Sequence, residues 1–142
     1  MFEALGGEYW KKYFKILHSI LKPGGKMIIQ TITINNTDFS SYRRCSDFIQ
    51  QYIFPGGLLP SPDIFRSTAV KQGFRYVGDF EFGLDYGLTL KRWEENFTHV
   101  LDKIKDLGFD EKFIRTWKFY LKYCQGGFEA KKISVSQFNF TK

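Results

Sequence analysis

A Pro-Gly-Gly turn joins a predicted helix directly to a predicted strand near the start of this chain, and this junction constrains the fold strongly. Apolar side chains recur at steps of three and four residues between positions 7 and 22, which predicts an amphipathic helix. Pro23 cannot continue that helix, and Gly24 and Gly25 allow a tight exit. Residues 26–34 are apolar and β-branched, which is typical of a strand covered on both faces in an α/β protein.

The rest of the chain alternates between helical and strand patterns. Turn and cap residues separate the segments, among them a loop at 54–60 rich in Pro and Gly, and Asp110 before the last helix. The remaining predicted helices span 38–53, 61–72, 86–106 and 110–126, and the remaining predicted strands span 74–83 and 132–140. We expect the last two strands to pair antiparallel, with helices inserted between them.

Composition fits one domain of 142 residues with a single core. Two cysteines, Cys45 and Cys124, lie far apart and form neither a disulfide framework nor a metal pattern, so we expect no metal. Basic residues are scattered, which argues against a nucleic-acid partner. The net charge of +6 favours an anionic membrane surface, with a merely solvated basic surface as the alternative. No apolar run reaches membrane-spanning length. We therefore expect a cytoplasmic protein with peripheral contact at the inner membrane.

Aromatic residues make up 19% of the chain, with sixteen Phe, eight Tyr and three Trp. Packing alone can use such rings. They can also line an apolar tunnel or stabilise a cation through their π faces. The residues by themselves leave these alternatives open.

A series of motifs runs through the whole chain in a fixed order. They include Met1-Phe2-Glu3, Leu21-Lys22-Pro23-Gly24-Gly25, Gln30-Thr31-Ile32, Tyr52-Ile53-Phe54-Pro55-Gly56-Gly57, Leu59-Pro60-Ser61, Phe82-Gly83-Leu84-Asp85-Tyr86 and Tyr120-Leu121-Lys122-Tyr123-Cys124. With them the chain resembles the C-terminal part of a cyclopropane-fatty-acyl-phospholipid synthase, the family that includes the mycolic acid cyclopropane synthases. The resemblance implies an α/β fold: the C-terminal half of a Rossmann-like class I methyltransferase sheet, with inserted helices forming an acyl-binding lid.

The resemblance also implies a reaction and its ligands. The methyl group of S-adenosylmethionine adds to a cis double bond of an unsaturated phospholipid acyl chain and leaves a carbocation. A base then removes a proton from the added carbon, and the ring closes. The base implied is a bound bicarbonate ion, held by a Glu, a Tyr hydroxyl, strand-end backbone, a His and a Cys of the N-terminal half.

The family's catalytic positions fall on five residues of this chain. By resemblance, Glu3 and Tyr86 supply the carboxylate and the hydroxyl, and Ile32 supplies the strand-end backbone. Gln30 stands where other members carry His, and a Gln amide can still donate to an anion. Cys124 matches a family cysteine near the active site.

An apolar pocket is required because water would trap a carbocation. The substrate-binding residues expected from the resemblance are Phe2, Tyr52, Phe54, Leu59, Leu90, Trp93 and Tyr120. The loop from Tyr52 to Pro60 is interpreted as an apolar lid, with plain packing as the alternative.

The glycine loop expected for a nucleotide cofactor is missing from this chain. No Gly-x-Gly-x-Gly sequence follows a strand, so residues 1–142 are interpreted as a C-terminal portion, and the main site for S-adenosylmethionine is expected in an N-terminal half. We assign no cofactor-binding residues. That half, or a second copy of the chain, is expected to cover the bare sheet edge. The alternatives are a non-catalytic remnant that binds lipid or protein, and a related lipid methyltransferase.

Overall fold

The computed structural model describes residues 1–142 as seven α-helices packed on a three-stranded sheet. The strands are β1 (Lys26–Ile34), β2 (Arg75–Glu81) and β3 (Ile133–Thr141). The helices are α1 (Trp10–Ile20), α2 (Asn36–Tyr42), α3 (Phe48–Tyr52), α4 (Pro62–Lys71), α5 (Gly83–His99), α6 (Leu101–Asp106) and α7 (Glu111–Glu129). Two 3₁₀ turns, Phe2–Ala4 and Gly7–Tyr9, precede them. None of the helices is both long and apolar enough to cross a bilayer.

The last strand, β3, lies in the centre of the sheet. It pairs antiparallel with β1 on one side and with β2 on the other, and Ile32 stands opposite Val135. The predicted antiparallel pairing of the last two strands is therefore confirmed. The helices α5, α6 and α7 form the long connection that lets the chain return between β1 and β2.

The predicted junction between the first helix and strand is also confirmed. The helix α1 ends at Ile20, and Gly24 adopts a φ of 72° in the turn before β1. The ammonium of Lys142 donates to the carbonyl of Leu21 at 2.7 Å. This contact ties the end of β3 to carbonyl groups that the end of α1 leaves without helical partners.

Two predicted helices are each divided in the structure. The helix predicted over 38–53 is α2 and α3, because Asp47 starts a new helix in a capping box with Gln50. The helix predicted over 86–106 is α5 and α6, since Val100 leaves helical geometry between them. The start of α5 is earlier than predicted, at Gly83.

The main core lies between one face of the sheet and the helices α1 and α4. Odd-numbered residues of β1 point into it, and Phe14, Phe65 and Phe138 are fully buried there. Rings of Phe65 and Phe138 have their centroids 4.5 Å apart. This aromatic packing fixes β1 and the N-terminal 3₁₀ turn relative to each other, because Phe2 is buried in the same core.

The opposite face of the sheet is covered only in part. The helices α5 and α7 pack over the end that carries Val135, with Leu90, Leu121 and Phe128 buried beneath them. Towards the start of β1 the face is open, and Ile28 on β1 remains 67% exposed. The outer edge of β1 has no neighbouring strand.

Candidate active site

The carboxylate of Glu3 lies against the outer edge of β1. Its Oε1 accepts hydrogen bonds from the backbone N–H of Ile32 at 2.7 Å and from the Thr31 hydroxyl at 2.8 Å. The position follows from the sequence, because burial of Phe2 anchors the 3₁₀ turn that presents Glu3. The carbonyl of Glu3 accepts from the N–H of Leu58, which ties the loop between α3 and α4 to the turn that presents Glu3.

This environment holds Glu3 in its ionised form. Burial alone raises the pKa of the carboxyl group, but hydrogen bonds from the Ile32 backbone, from its own backbone and from Thr31 outweigh burial and lower the pKa below 4.5. Glu3 is therefore a carboxylate at neutral pH that accepts hydrogen bonds.

An aromatic wall stands on the side of the sheet that α5 and α7 cover. The ring of Tyr86 packs on Phe128 at 5.4 Å and on Trp93 at 6.5 Å between centroids. The ring of Tyr120 packs on Trp117 at 5.0 Å. Together with Ile32, Leu90 and Cys124, all of these residues except the half-exposed Trp93 belong to one apolar cluster.

The thiol of Cys124 lies half-buried in this cluster. Burial raises its pKa to about 11, and the negative charge of Asp47 adds to the shift. The thiol is therefore protonated at neutral pH, which excludes a resident thiolate. Burial likewise raises the pKa of Tyr120.

The other predicted site residues lie in four different places. Gln30 lies outside the cluster on the open part of the sheet, where its Oε1 accepts from the Gln137 amide at 3.1 Å. Phe2 and Leu59 pack in or against the main core. Phe54 contacts Tyr120 edge-on at 6.3 Å, which brings the loop between α3 and α4 beside the aromatic wall. Tyr52 is on the surface, where it packs against Phe48.

Three residues of the site were not predicted from the sequence. Thr31 fixes the Glu3 carboxylate, and Trp117 and Phe128 complete the aromatic wall. The signal for Thr31 was present, because Thr31 and Thr33 are the polar residues on the inward-facing side of β1, and a buried hydroxyl needs a partner. Trp117 and Phe128 could be recognised only once α7 was known to lie against α5.

The residues present form only part of a site for a nucleotide cofactor. A cavity of about 250 Å³ lies beside the N-terminal turns, lined by Gly6, Gly7, Gly56, Gly57 and four other residues. Neither pair of glycines stands between a strand and a following helix in the way that a nucleotide loop requires. S-adenosylmethionine therefore does not fit a complete site within these residues.

Solved methyltransferases share this architecture. The mycolic acid cyclopropane synthase CmaA1, solved in complex with SAH and CTAB, matches with a TM-score of 0.88 and 27% identity, over 99% of this chain and 52% of that chain. The fold is accordingly that of part of a class I methyltransferase, and the predicted fold class is confirmed.

Sequence comparison narrows this class to one family. The mycolic acid cyclopropane synthetase family matches residues 1–138, and the chain belongs to it. The tuberculostearic acid methyltransferase UfaA1 of Mycobacterium tuberculosis is 38% identical over the whole chain, and the cyclopropane-fatty-acyl-phospholipid synthase of Escherichia coli K12 is 34% identical. The chain spans about a third of the length of these two relatives, at 34% and 36%.

Proposed function

We propose that this chain supplies the acyl-binding and base-holding part of an enzyme of lipid biosynthesis. The reaction is methylene transfer from S-adenosylmethionine to the cis double bond of an unsaturated phospholipid acyl chain. One observation carries the proposal: the ionised Glu3 carboxylate accepts a hydrogen bond from the strand-end amide of Ile32, and Ile32 packs against the same apolar cluster as Tyr86 and Tyr120.

The aromatic wall suits an acyl chain and excludes water. Leu90 is almost fully buried, Tyr86 and Tyr120 pack against the cluster that contains it, and the half-exposed Trp93 packs on Tyr86. Apolar and aromatic surface binds a hydrocarbon chain by the hydrophobic effect, and aromatic faces favour positive charge that develops on that chain. These residues thus offer binding together with protection from water.

Glu3 and Tyr86 are proposed to hold the proton-accepting group. The Ile32 N–H and the Thr31 hydroxyl bond Glu3 Oε1, and Oε2 accepts from the Met1 ammonium at 3.1 Å. Oε2 is the oxygen proposed to accept from a bicarbonate hydroxyl in place of that ammonium. The Tyr86 hydroxyl is the proposed second contact. Because the Ile32 N–H is used by Glu3, it is not assigned to the bicarbonate, and the distant Gln30 is not assigned either.

The remainder of the methyltransferase fold is proposed to supply the site for S-adenosylmethionine. The relatives are two to three times as long as this chain, and the outer edge of β1 is open near Ile28. An open edge and an exposed apolar side chain favour the docking of further polypeptide there. Residues 1–142 would then be the C-terminal portion of the domain.

The test is transfer of a labelled methyl group from S-adenosylmethionine to unsaturated phospholipid. The chain is placed in the E. coli cyclopropane synthase, where it replaces the segment it matches. We expect labelled cyclopropane product from this chimera and none when saturated phospholipid is supplied. A folded chimera that binds S-adenosylmethionine but forms no product contradicts the proposal.

A second candidate function is a non-catalytic protein that binds lipid or another protein through the open sheet face. The exposure of Ile28 and Phe80, at 67% and 65%, favours it. The mass of the purified chain in solution tests this candidate function. A dimer that the Ile28→Asp substitution dissociates supports a protein interface on the open sheet face. A monomer removes the support for such an interface.

A further inference from the structure

Four aromatic side chains form a continuous surface, and the proposed acyl site uses only one of them, Tyr52. We call this surface the aromatic patch, and it consists of Phe48, Tyr52, Phe119 and Tyr123. They come from α3 and from α7. The segments lie far apart in sequence, so the fold alone brings these rings together.

Rings of the aromatic patch contact each other while they face solvent. Phe48 packs edge-on against Phe119 at 4.7 Å and lies 6.0 Å from Tyr123. Yet Tyr52 is 69% exposed and Phe119 is 53% exposed. Single exposed apolar residues are normal on a protein, but a contiguous group of large rings indicates a surface that contacts another phase or molecule.

The charge around the aromatic patch is mainly positive. Arg115 stands one turn before Phe119 on α7, and Lys112 lies near it on the same helix; both are exposed and neither forms an ion pair. Arg43 and Arg44, just before α3, are also exposed. The nearby carboxylate of Asp47 accepts from the Gln50 backbone N–H as the cap of α3.

This combination suits an anionic phospholipid surface. Aromatic rings with polar tips, such as Tyr52 and Tyr123, favour the headgroup level of a bilayer. Unpaired basic residues near the surface are attracted to an anionic leaflet. A protein partner would not require an excess of basic residues around the rings, whereas an anionic bilayer attracts them.

The aromatic patch also lies beside the proposed acyl wall. Tyr120 of the wall follows Phe119 directly on α7, and Phe54, two residues after Tyr52, contacts Tyr120 at 6.3 Å. We propose that the aromatic patch is the surface by which the chain docks on an anionic phospholipid bilayer. This inference rests on the proposed function, because the aromatic patch is the face through which the enzyme would reach an acyl chain in the bilayer.

The test is co-sedimentation of the full chain with vesicles of saturated phosphatidylglycerol, compared with saturated phosphatidylcholine. We expect binding to the anionic vesicles that weakens with salt. The double variant Tyr52→Ser with Phe119→Ser should bind about tenfold more weakly, which corresponds to about 1.4 kcal/mol. The matched control is Ile20→Ser on α1, an equally exposed apolar residue at 71% whose loss should leave binding unchanged.

Absence of binding to anionic vesicles overturns the inference, and so does an equal loss of binding in the Ile20→Ser control. A dimer in solution that the double variant dissociates also overturns it, because the aromatic patch is then a protein interface. Saturated lipid has no double bond, so vesicle docking is measured apart from the reaction. Docking without methyl transfer would contradict the proposed function and leave this inference standing.

Discussion

The carboxylate of Glu3 accepts a 2.7 Å hydrogen bond from the backbone N–H of Ile32, which lies 29 positions further along the chain. This bond fixes an ionised acid on the outer edge of β1, at the point where the aromatic wall begins. The Glu3 carboxylate therefore has a structural role and a proposed chemical role. It satisfies a backbone N–H at the strand edge, and it is proposed to bind the bicarbonate that acts as the base.

Glu3→Gln should lower the free energy of unfolding by about 1–2 kcal/mol near neutral pH, since it weakens the hydrogen bonds from Ile32 and Thr31 and removes the exposed ion pair with the Met1 ammonium. The folded-state pKa of Glu3 lies below its ordinary value of 4.5. Its stabilising contribution is therefore complete above 4.5 and is lost as pH falls through the folded-state pKa. Urea unfolding at neutral and acidic pH measures this, with the exposed Glu8→Gln as control. A stability difference that persists in acid would contradict the assignment.

Tyr86→Phe in the chimeric enzyme should reduce methyl transfer by about 100-fold, because it removes one fixed hydrogen-bond donor and keeps the ring. The melting temperature should change little. Tyr120→Phe is the matched control, since Tyr120 lies in the same cluster and its proposed role needs only the ring. Equal losses in both variants would show that the Tyr86 hydroxyl has no special part.

The two cysteines should differ in reactivity towards iodoacetamide. Cys45 is exposed, whereas burial and Asp47 raise the pKa of Cys124 to about 11. Because the thiolate is the reactive form, Cys124 should react much more slowly at neutral pH and accelerate as pH rises. Mass mapping of the alkylated peptides measures both rates. Fast labelling of Cys124 in the folded Cys45→Ser variant would contradict its protonated, half-buried state.

Gly83→Ala should destabilise the fold by about 1–3 kcal/mol through overpacking. A Cβ at Gly83 would lie 2.5 Å from the Ser134 hydroxyl oxygen and 2.9 Å from the Ser134 Cα, so β3 or α5 must shift. Gly126→Ala on α7 is the matched control, because nothing lies within 4 Å of its added Cβ. That control should gain about 0.5–1 kcal/mol from helix propensity. Thermal unfolding compares the pair, and equal effects would contradict the close approach of α5 to β3.

Local signals were sufficient to predict much of this fold. The Pro-Gly-Gly turn and the apolar run after it located α1 and β1, and the alternation near the C-terminus located β3. The break between α2 and α3 was also encoded, since Asp47 and Gln50 have the spacing of a capping box. The break at Val100 has no Pro or Gly to mark it, and it was not predictable from local sequence.

The positions of the site residues relative to the covering helices depend on tertiary packing, which the motifs do not predict. Gln30 and Ile32 share one face of β1, but only Ile32 lies beneath the helices that cover that face. The alternation of the strand predicts a shared face and says nothing of where α5 and α7 end. Phe2 was expected to bind substrate, and the main core that contains it forms from residues far away in the sequence.

The most direct test of the account is cyclopropane formation by the E. coli synthase chimera that carries this chain, measured with the Glu3→Gln and Tyr86→Phe variants beside it. The account predicts labelled cyclopropane lipid from the unmodified chimera and a loss of about 100-fold in each variant, while binding of S-adenosylmethionine is retained. Product formation that neither substitution reduces would contradict the claim that this chain holds the base of the reaction.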